Sequence, residues 1–332
     1  MKKSTILTIA LIVVLAGLAA CAYFLFGSSV GGITYADAEK YTVGGTTIAS
    51  PVEDLIIDWT EGAVNIEYHE GDGIIVSEKA DKELSEDNQL RWWLDGKTLR
   101  IRYAKAGIRL SFSLNKQLTV SLPDSLALQI ADIGSTSGRL NIPYLTADEV
   151  RLASTSGDID AVTVAKNLTA SSTSGNMNIC QDDDIETVKL DSTSGSIFCA
   201  LGNVNSVNAR STSGGIQLTS WGEAGDADLR STSGKIHVDL ACVDTLKVQS
   251  TSGGFGGNVA SFSSLKIDTT AGGVALNLLE EPGFTLKADS ASGSFKSGIS
   301  LKKDGRTYTC GDGSGSISIS TSSGNIQIGM IE

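Results

Sequence analysis

Proline is nearly absent from this chain of 332 residues, with 4 copies against 37 glycines. So little proline, beside a strictly regular repeat, excludes a disordered or low-complexity linker. Histidine is scarcer still: His69 and His237 are the two, far apart in sequence. His237 has no Cys or Asp pair at metal-ligand spacing. His69 sits in Glu67-Tyr68-His69-Glu70-Gly71-Asp72, which reads as a solvated hairpin end before it reads as a metal or acid–base cluster. The 5 cysteines form no even framework. Cys199 and Cys310 fall at inward-facing places, and Cys180 and Cys242 do not, so no disulfide scaffold is expected. There is no phosphate-cradling loop and no Ser/His/Asp signature, hence no expected cofactor and no catalytic residue. A basic patch with interleaved aromatics is also missing, and the formal charge is -12. That balance repels nucleic acid.

What the chain has is Ser-Thr-Ser-Gly, first at residues 135–138 and again about every 19 residues. The motif closes at Gly138, Gly157, Gly175, Gly195, Gly214, Gly234 and Gly253, and in looser form at Gly272, Gly293 and Gly324. A fixed period in this range marks a stacked repeat architecture. Apolar residues stand two and four places after each glycine (Ile197 and Cys199, Ile236 and Val238) and seven and five before it (Val188 and Leu190, Leu246 and Val248). Spacing by two sets each pair on one face of a strand. The expected fold is therefore all-β: a single-chain parallel β-solenoid, each coil a strand, a glycine corner, a strand and a looser corner of about eight residues. Glycine fits such a corner by accepting positive φ. The hydroxyls can bond free backbone groups or ladder between coils, and a structural corner outweighs a hydroxyl array built to bind something.

Lys2 and Lys3 precede an uncharged apolar run over 6–26, long enough to cross a bilayer. The lysines set its start on the cytoplasmic side. Two anchors stay open: an uncleaved transmembrane helix, favoured because 22–26 remain apolar, or lipidation at Cys21 within Leu18-Ala19-Ala20-Cys21. Both place the body outside the cytoplasmic membrane. The expected layout is an anchor at 1–28, a linker or stalk at 29–45, a β-rich capping section at 46–133 and regular coils at 134–332. Leu55, Ile57, Gly62, Val64 and Ile66 repeat the coil phrase early, 76 residues before Gly138, or four nominal periods. Only Glu332 follows the last strand, which suggests an open edge and end-on self-association.

Candidate binding surfaces are few. Trp92 and Trp93 are adjacent on a strand, so one ring should face outward; an exposed indole could stack on a sugar or partner surface, but packing of a cap residue against the first coil is the reading favoured. Gly254, Gly256, Gly273 and Ala275 leave a bare outward patch that could accept a sugar ring or another chain, although plain weakly selected surface explains it more simply. The run 182–184 is all aspartate and reads as a solvated corner, with weak Ca²⁺ binding as the alternative. An enzyme acting on polysaccharide would need grouped carboxylates, and Asp158 and Asp160 share a face, but no basic cluster stands beside them on that strand.

The phrase Leu-x-Ile-x-Trp-x-x-Gly-x-Val-x-Ile at 55–66, the strand Leu-x-Val-x-Leu-Pro at 118–123 and the serial Ser-Thr-Ser-Gly coils resemble the bacterial putative-adhesin family of β-strand-repeat proteins. The resemblance spans about 46–328. It implies a β-solenoid at the cell envelope, some of whose relatives are associated with envelope stress, and it supplies no catalytic residues. The expected function is a non-enzymatic, extracytoplasmic binding or scaffold protein, adhesin-like, with a wall glycan or envelope protein as partner. The alternatives are a stress-regulatory protein that docks another membrane protein, and an enzyme acting on polysaccharide.

Overall fold

The computed structural model describes residues 33–108, 114–181, 183–279 and 283–330. The apolar run 6–26, Cys21 and Asp182 lie outside them. Among the described residues, no helix is long and apolar enough to cross a membrane. The fold is all-β and parallel-solenoid-like, with two short 3-10 turns at Ala38–Lys40 and Glu86–Asn88. The chain divides into two compact units, Met1–Ala161 with Ser172–Gly175, and Val162–Ser171 with Asn176–Glu332.

In the first unit the early phrase is a true coil. Asp54–Trp59 lies parallel between Leu128–Ser135 and Thr98–Arg102, and Val64–His69 lies parallel between Leu140–Ile142 and Gln117–Pro123. The coil of Gly62 is thus the direct neighbour of the coil of Gly138, with no further periods between them. The described residues between 70 and 127 instead build an outer layer. One parallel coil (Thr98–Arg102 and Gln117–Pro123) is flanked by antiparallel strands Arg91–Asp95 and Ile74–Lys79. These are flanked in turn by Thr42–Val43 and Thr46–Ile48. The described part of the expected stalk is therefore docked on the sheet. Tyr35 and Tyr41 pack with ring centres 4.9 Å apart and planes tilted by 59°, because their rings gain more by burial than a solvated linker would allow. The His69 segment is a crossover and not a hairpin: Gln117–Pro123 lies between Val64–His69 and Ile74–Lys79.

In the second unit Ile216–Ser231, Ile236–Ser250 and Phe255–Thr269 run side by side in register. The looser corner expected in each of these coils is itself part of the ladder, bent by a bulge at Ser220/Glu223, since an extra unpaired residue turns a strand without ending its pairing. Every predicted inward pair in these coils is buried, including Leu218, Val238, Leu246 and Val248. After Leu278 the order in space departs from the order in sequence. Gly315–Thr321 pairs with both Phe255–Thr269 and Phe284–Ser290, and Ile326–Met330 pairs with both Val274–Leu278 and Phe295–Ser297. Residues 315–330 thus fill a slot between two earlier segments. The strand expected at an open edge is interior, and the outer coil is partly covered by the antiparallel hairpin Lys302–Asp304/Thr307–Cys310.

The corner glycines serve a different need from the one expected. Positive φ occurs at Gly62 (81°) but at none of the seven Ser-Thr-Ser-Gly glycines. An added Cβ at Gly157, Gly175, Gly214, Gly234 or Gly253 would fall within 3.0 Å of the preceding corner glycine's carbonyl oxygen. Close stacking of backbone on backbone requires glycine here, not an unusual dihedral. The first hydroxyl of each motif points inward. Ser231 Oγ accepts the Gly234 N–H at 2.8 Å, and Ser192 Oγ donates to the Gly195 carbonyl at 2.6 Å. Coil-to-coil bonding at the corners runs through backbone, as in Thr212 N–H to Ser192 O at 3.1 Å and Ser213 N–H to Thr193 O at 2.9 Å.

Candidate functional site

The strands after the corner glycines of the second unit bury Ile216, Leu218, Ile236, Val238, Val274 and Leu276. Strand alternation therefore turns the residues between them outward. One outward column reads Phe198, Gln217, His237, Gly256, Ala275 and Gln327, each paired with the next across neighbouring strands. The column continues to Asn178 beyond Phe198 and to Lys296 beyond Gln327, and Phe198 is 45% exposed within it. A neighbouring column contains Gly215, Lys235, Gly254, Gly273 and Asn325, whose carbonyls accept the amides of Ile197, Ile216, Ile236, Phe255 and Val274 on the preceding strands at 2.8–3.0 Å. Gly273 and Ala275 are exposed and Gly254 is half-buried.

Gly256 departs from the bare patch expected of it. It is buried, and a Cβ there would stand 3.4 Å from Lys235 Cε and 3.5 Å from His237 Nδ1, so these side chains lean across it. The shelf proper is Gly254, Gly273 and Ala275, bounded on one side by a polar row. Asn277 donates to Asn258 at 3.0 Å, and Asn258 donates to Asp239 at 2.6 Å. His237 Nε2 meets the other oxygen of Asp239 at 3.1 Å. The His–Asp contact was missed in the sequence, although alternation at two-residue spacing placed both on one face. This arrangement offers a flat floor, amide, imidazole and carboxylate hydrogen-bonding groups along one rim, and an exposed aromatic ring four strands away in the same column.

The other sequence candidates lie elsewhere. Trp92 and Trp93, in the first unit, are both half-buried. Trp93 packs edge-on against Tyr41 at 5.7 Å and carries Lys40 Nζ over its ring at 4.7 Å. Trp92 buries its indole N–H without a partner. Neither ring stands free on a strand face. His69 Nε2 contacts the Gly73 carbonyl at 2.8 Å inside its own loop. Asp160 pairs with Arg139 at 2.5 Å, a cation from the neighbouring strand beside the carboxylates. Asp183 and Asp184 are exposed. No group of three or more metal-ligating side chains occurs among the described residues.

One feature gave no signal in the sequence. Lys116 is fully buried in the first unit, with Nζ 2.8 Å from Glu78 and 2.6 Å from the Asn88 carbonyl to which it donates. It also donates to the Tyr103 carbonyl. The ammonium lies 4.4 Å and 4.9 Å from the ring centres of Tyr103 and Trp59. Burial pulls its pKa down to about 8 against the pull of Glu78, and burial pushes the Tyr103 hydroxyl up to about 12. The cluster ties loop 80–90 to the first coil. Its role is to hold the outer layer.

Three crystal structures are similar to this chain at low identity. They are a "putative cell adhesion protein" from Clostridium sporogenes (11% identity, 87% of this chain and 100% of that one, TM-score 0.20), a "putative lipid binding protein" from Parabacteroides distasonis (14%, 87% and 96%, 0.38) and a "putative adhesin" from Bacteroides fragilis (12%, 87% and 97%, 0.33). No curated protein matches. Residues 52–259 and 166–329 both match one family, and the coils, the glycine column and the early phrase all fall within that span: the chain belongs to the Toastrack DUF4097 family.

Proposed function

We propose that this protein is a non-enzymatic, extracytoplasmic binding protein of the cell envelope, adhesin-like, and that the Gly254–Gly273–Ala275 shelf takes a neutral glycan. The observation that carries the reading is the composition of the column that includes the shelf: exposed Phe198 lies four strands from Ala275, and Gln217 and His237 stand between it and bare backbone. Sugar rings stack on aromatic faces and hydrogen-bond through hydroxyls, which amides and imidazole serve without a net charge. Placement outside the cytoplasm rests on Lys2, Lys3 and the apolar run 6–26, with a transmembrane or Cys21-lipid anchor holding the body at the membrane.

The test is titration of the full chain, in nonionic detergent, with fractionated envelope glycans. Saturable binding to a neutral glycan is expected. Phe198→Ala should weaken it about tenfold, the worth of about 1.4 kcal/mol of lost stacking. Gly273→Lys, which obstructs the floor, should abolish it. Absence of saturable binding, or identical binding by both variants, refutes the glycan assignment. Capture of a membrane protein that Gly273→Lys releases would instead assign the shelf to docking.

A further inference from the structure

The strands before the corner glycines carry a second, charged face in the same unit. Its outward residues occupy two columns in register. Asn208, Asp228, Lys247 and Lys266 succeed one another in the first, and Arg210, Arg230, Gln249 and Asp268 in the second. A shallow, open depression is lined by Asp228, Arg230, Lys247, Gln249, Lys266 and Asp268, and Arg210 lies just outside it, across from Arg230.

A ladder that served only to hold register would alternate its signs, because like charges directly opposite each other on neighbouring strands repel. This one places Arg210 beside Arg230 and Lys247 beside Lys266. Arg230 is occupied by Asp228 through contacts of 2.8 and 2.6 Å, and Lys266 approaches Asp268 at 3.7 Å. Arg210 and Lys247 have no ion-pair partner among the described residues. Both instead hold the Asp228 carboxyl low from a distance, behind the larger effect of Arg230. Within these two columns four cations thus face two carboxylates over four coils, with Asp226 exposed beside them and Asp191 across from Arg210 on the next coil, on a chain whose formal charge is -12. The cations succeed one another across the strands at about 4.8 Å per coil, a row of about 14 Å.

We propose that this face, depression and adjoining Arg210 together, binds a linear polyanion, laid across the strands so that successive anionic groups meet Arg210, Arg230, Lys247 and Lys266. The recognised chemistry is a repeated carboxylate or phosphodiester on a flexible chain. The surplus cations supply the attraction, and Asp228 and Asp268 hold the neighbouring side chains in position. This face is distinct from the glycan shelf, so either assignment can fail without the other.

The test measures binding of polygalacturonate and of polyglycerol phosphate to the full chain in nonionic detergent, at low and high salt. Saturable binding to at least one polymer is expected, fading as salt shortens the screening length. Preference between the two polymers names the anion. Arg210→Gln with Lys247→Gln should lower affinity at least tenfold, and Asp228→Asn should raise it. Lys302→Gln with Lys303→Gln removes the same charge from the exposed hairpin and should change affinity less than twofold. Phe198→Ala should leave it unchanged. No saturable binding to either polymer at low salt overturns the proposal. So does equal loss in the two double variants, which would reduce the effect to net charge.

Discussion

Replacing Lys116 by methionine tests whether the buried cluster holds the outer layer. In the native protein Nζ reaches Glu78 at 2.8 Å and the Asn88 carbonyl at 2.6 Å, inside the rings of Trp59 and Tyr103. Methionine fills a similar volume but strands a carboxylate that is 9% exposed and leaves two carbonyls short of a donor. Breaking one side of a buried pair costs about 3–5 kcal/mol. Lys116→Met with Glu78→Gln should recover part of that. The native cluster also carries a pH signature. An ordinary lysine titrates at 10.5 and Lys116 at about 8, so between these values the unfolded chain binds the additional proton. Stability then rises with pH across that window. The cost of burying the charge is complete below pH 8 and is relieved above it, by up to about 3 kcal/mol. Tyr103, raised to about 12, acts oppositely above pH 10, because the folded state then holds the additional proton. The assay is urea denaturation from pH 7 to 10 followed by tryptophan fluorescence. Trp59, Trp92 and Trp93 all report on the first unit. A loss below about 1 kcal/mol in Lys116→Met, or the same pH slope in variant and native protein, refutes this account.

Other outcomes follow from the corners. Gly234→Ala should cost about 3 kcal/mol or more, because its methyl would meet backbone oxygen and not a movable side chain. Ser233→Ala, exposed one residue earlier, should stay within about 0.5 kcal/mol in the same melt. Ser231→Ala removes the acceptor of the Gly234 N–H and should cost about 1–2 kcal/mol, with Ser231→Thr restoring most of it. Leu246→Ala, fully buried between coils, should cost about 2–5 kcal/mol by chemical denaturation.

The inward pairs were legible because strand alternation reads directly in sequence, and the buried Leu218, Val238 and Val248 stand where spacing put them. The cause of the corner glycine was not legible. A positive-φ glycine and a glycine pressed against a neighbouring backbone look alike in one sequence, and only the stacked coils separate them. The order of the coils was hidden for a related reason. Each coil's phrase fits any slot in the stack, so Ile326 and Ile328 look terminal in sequence while lying between Val274–Leu278 and Phe295–Ser297. Lys116 carried no signal because one lysine near a strand start looks solvated; its partners come from 13 to 57 residues away. At the shelf, the bare glycines were visible, but the reach of Lys235 and His237 over Gly256 depends on rotamers that a sequence does not specify.

The interleaved segment also sets an order of assembly. Neighbouring regular coils close loops of about 19 residues, whereas Ser264 meets Ser316 and Asp268 meets Ser320 across 52 residues. When the ribosome has released 284–297, that coil has no parallel neighbour to pair with until 315–330 emerge. Stopping synthesis after Ser314 would therefore cost the molecule two coils, not one, since 284–297 would face an empty slot. Completion of this end waits on 315–330, and until they emerge 284–297 stand open to proteolysis.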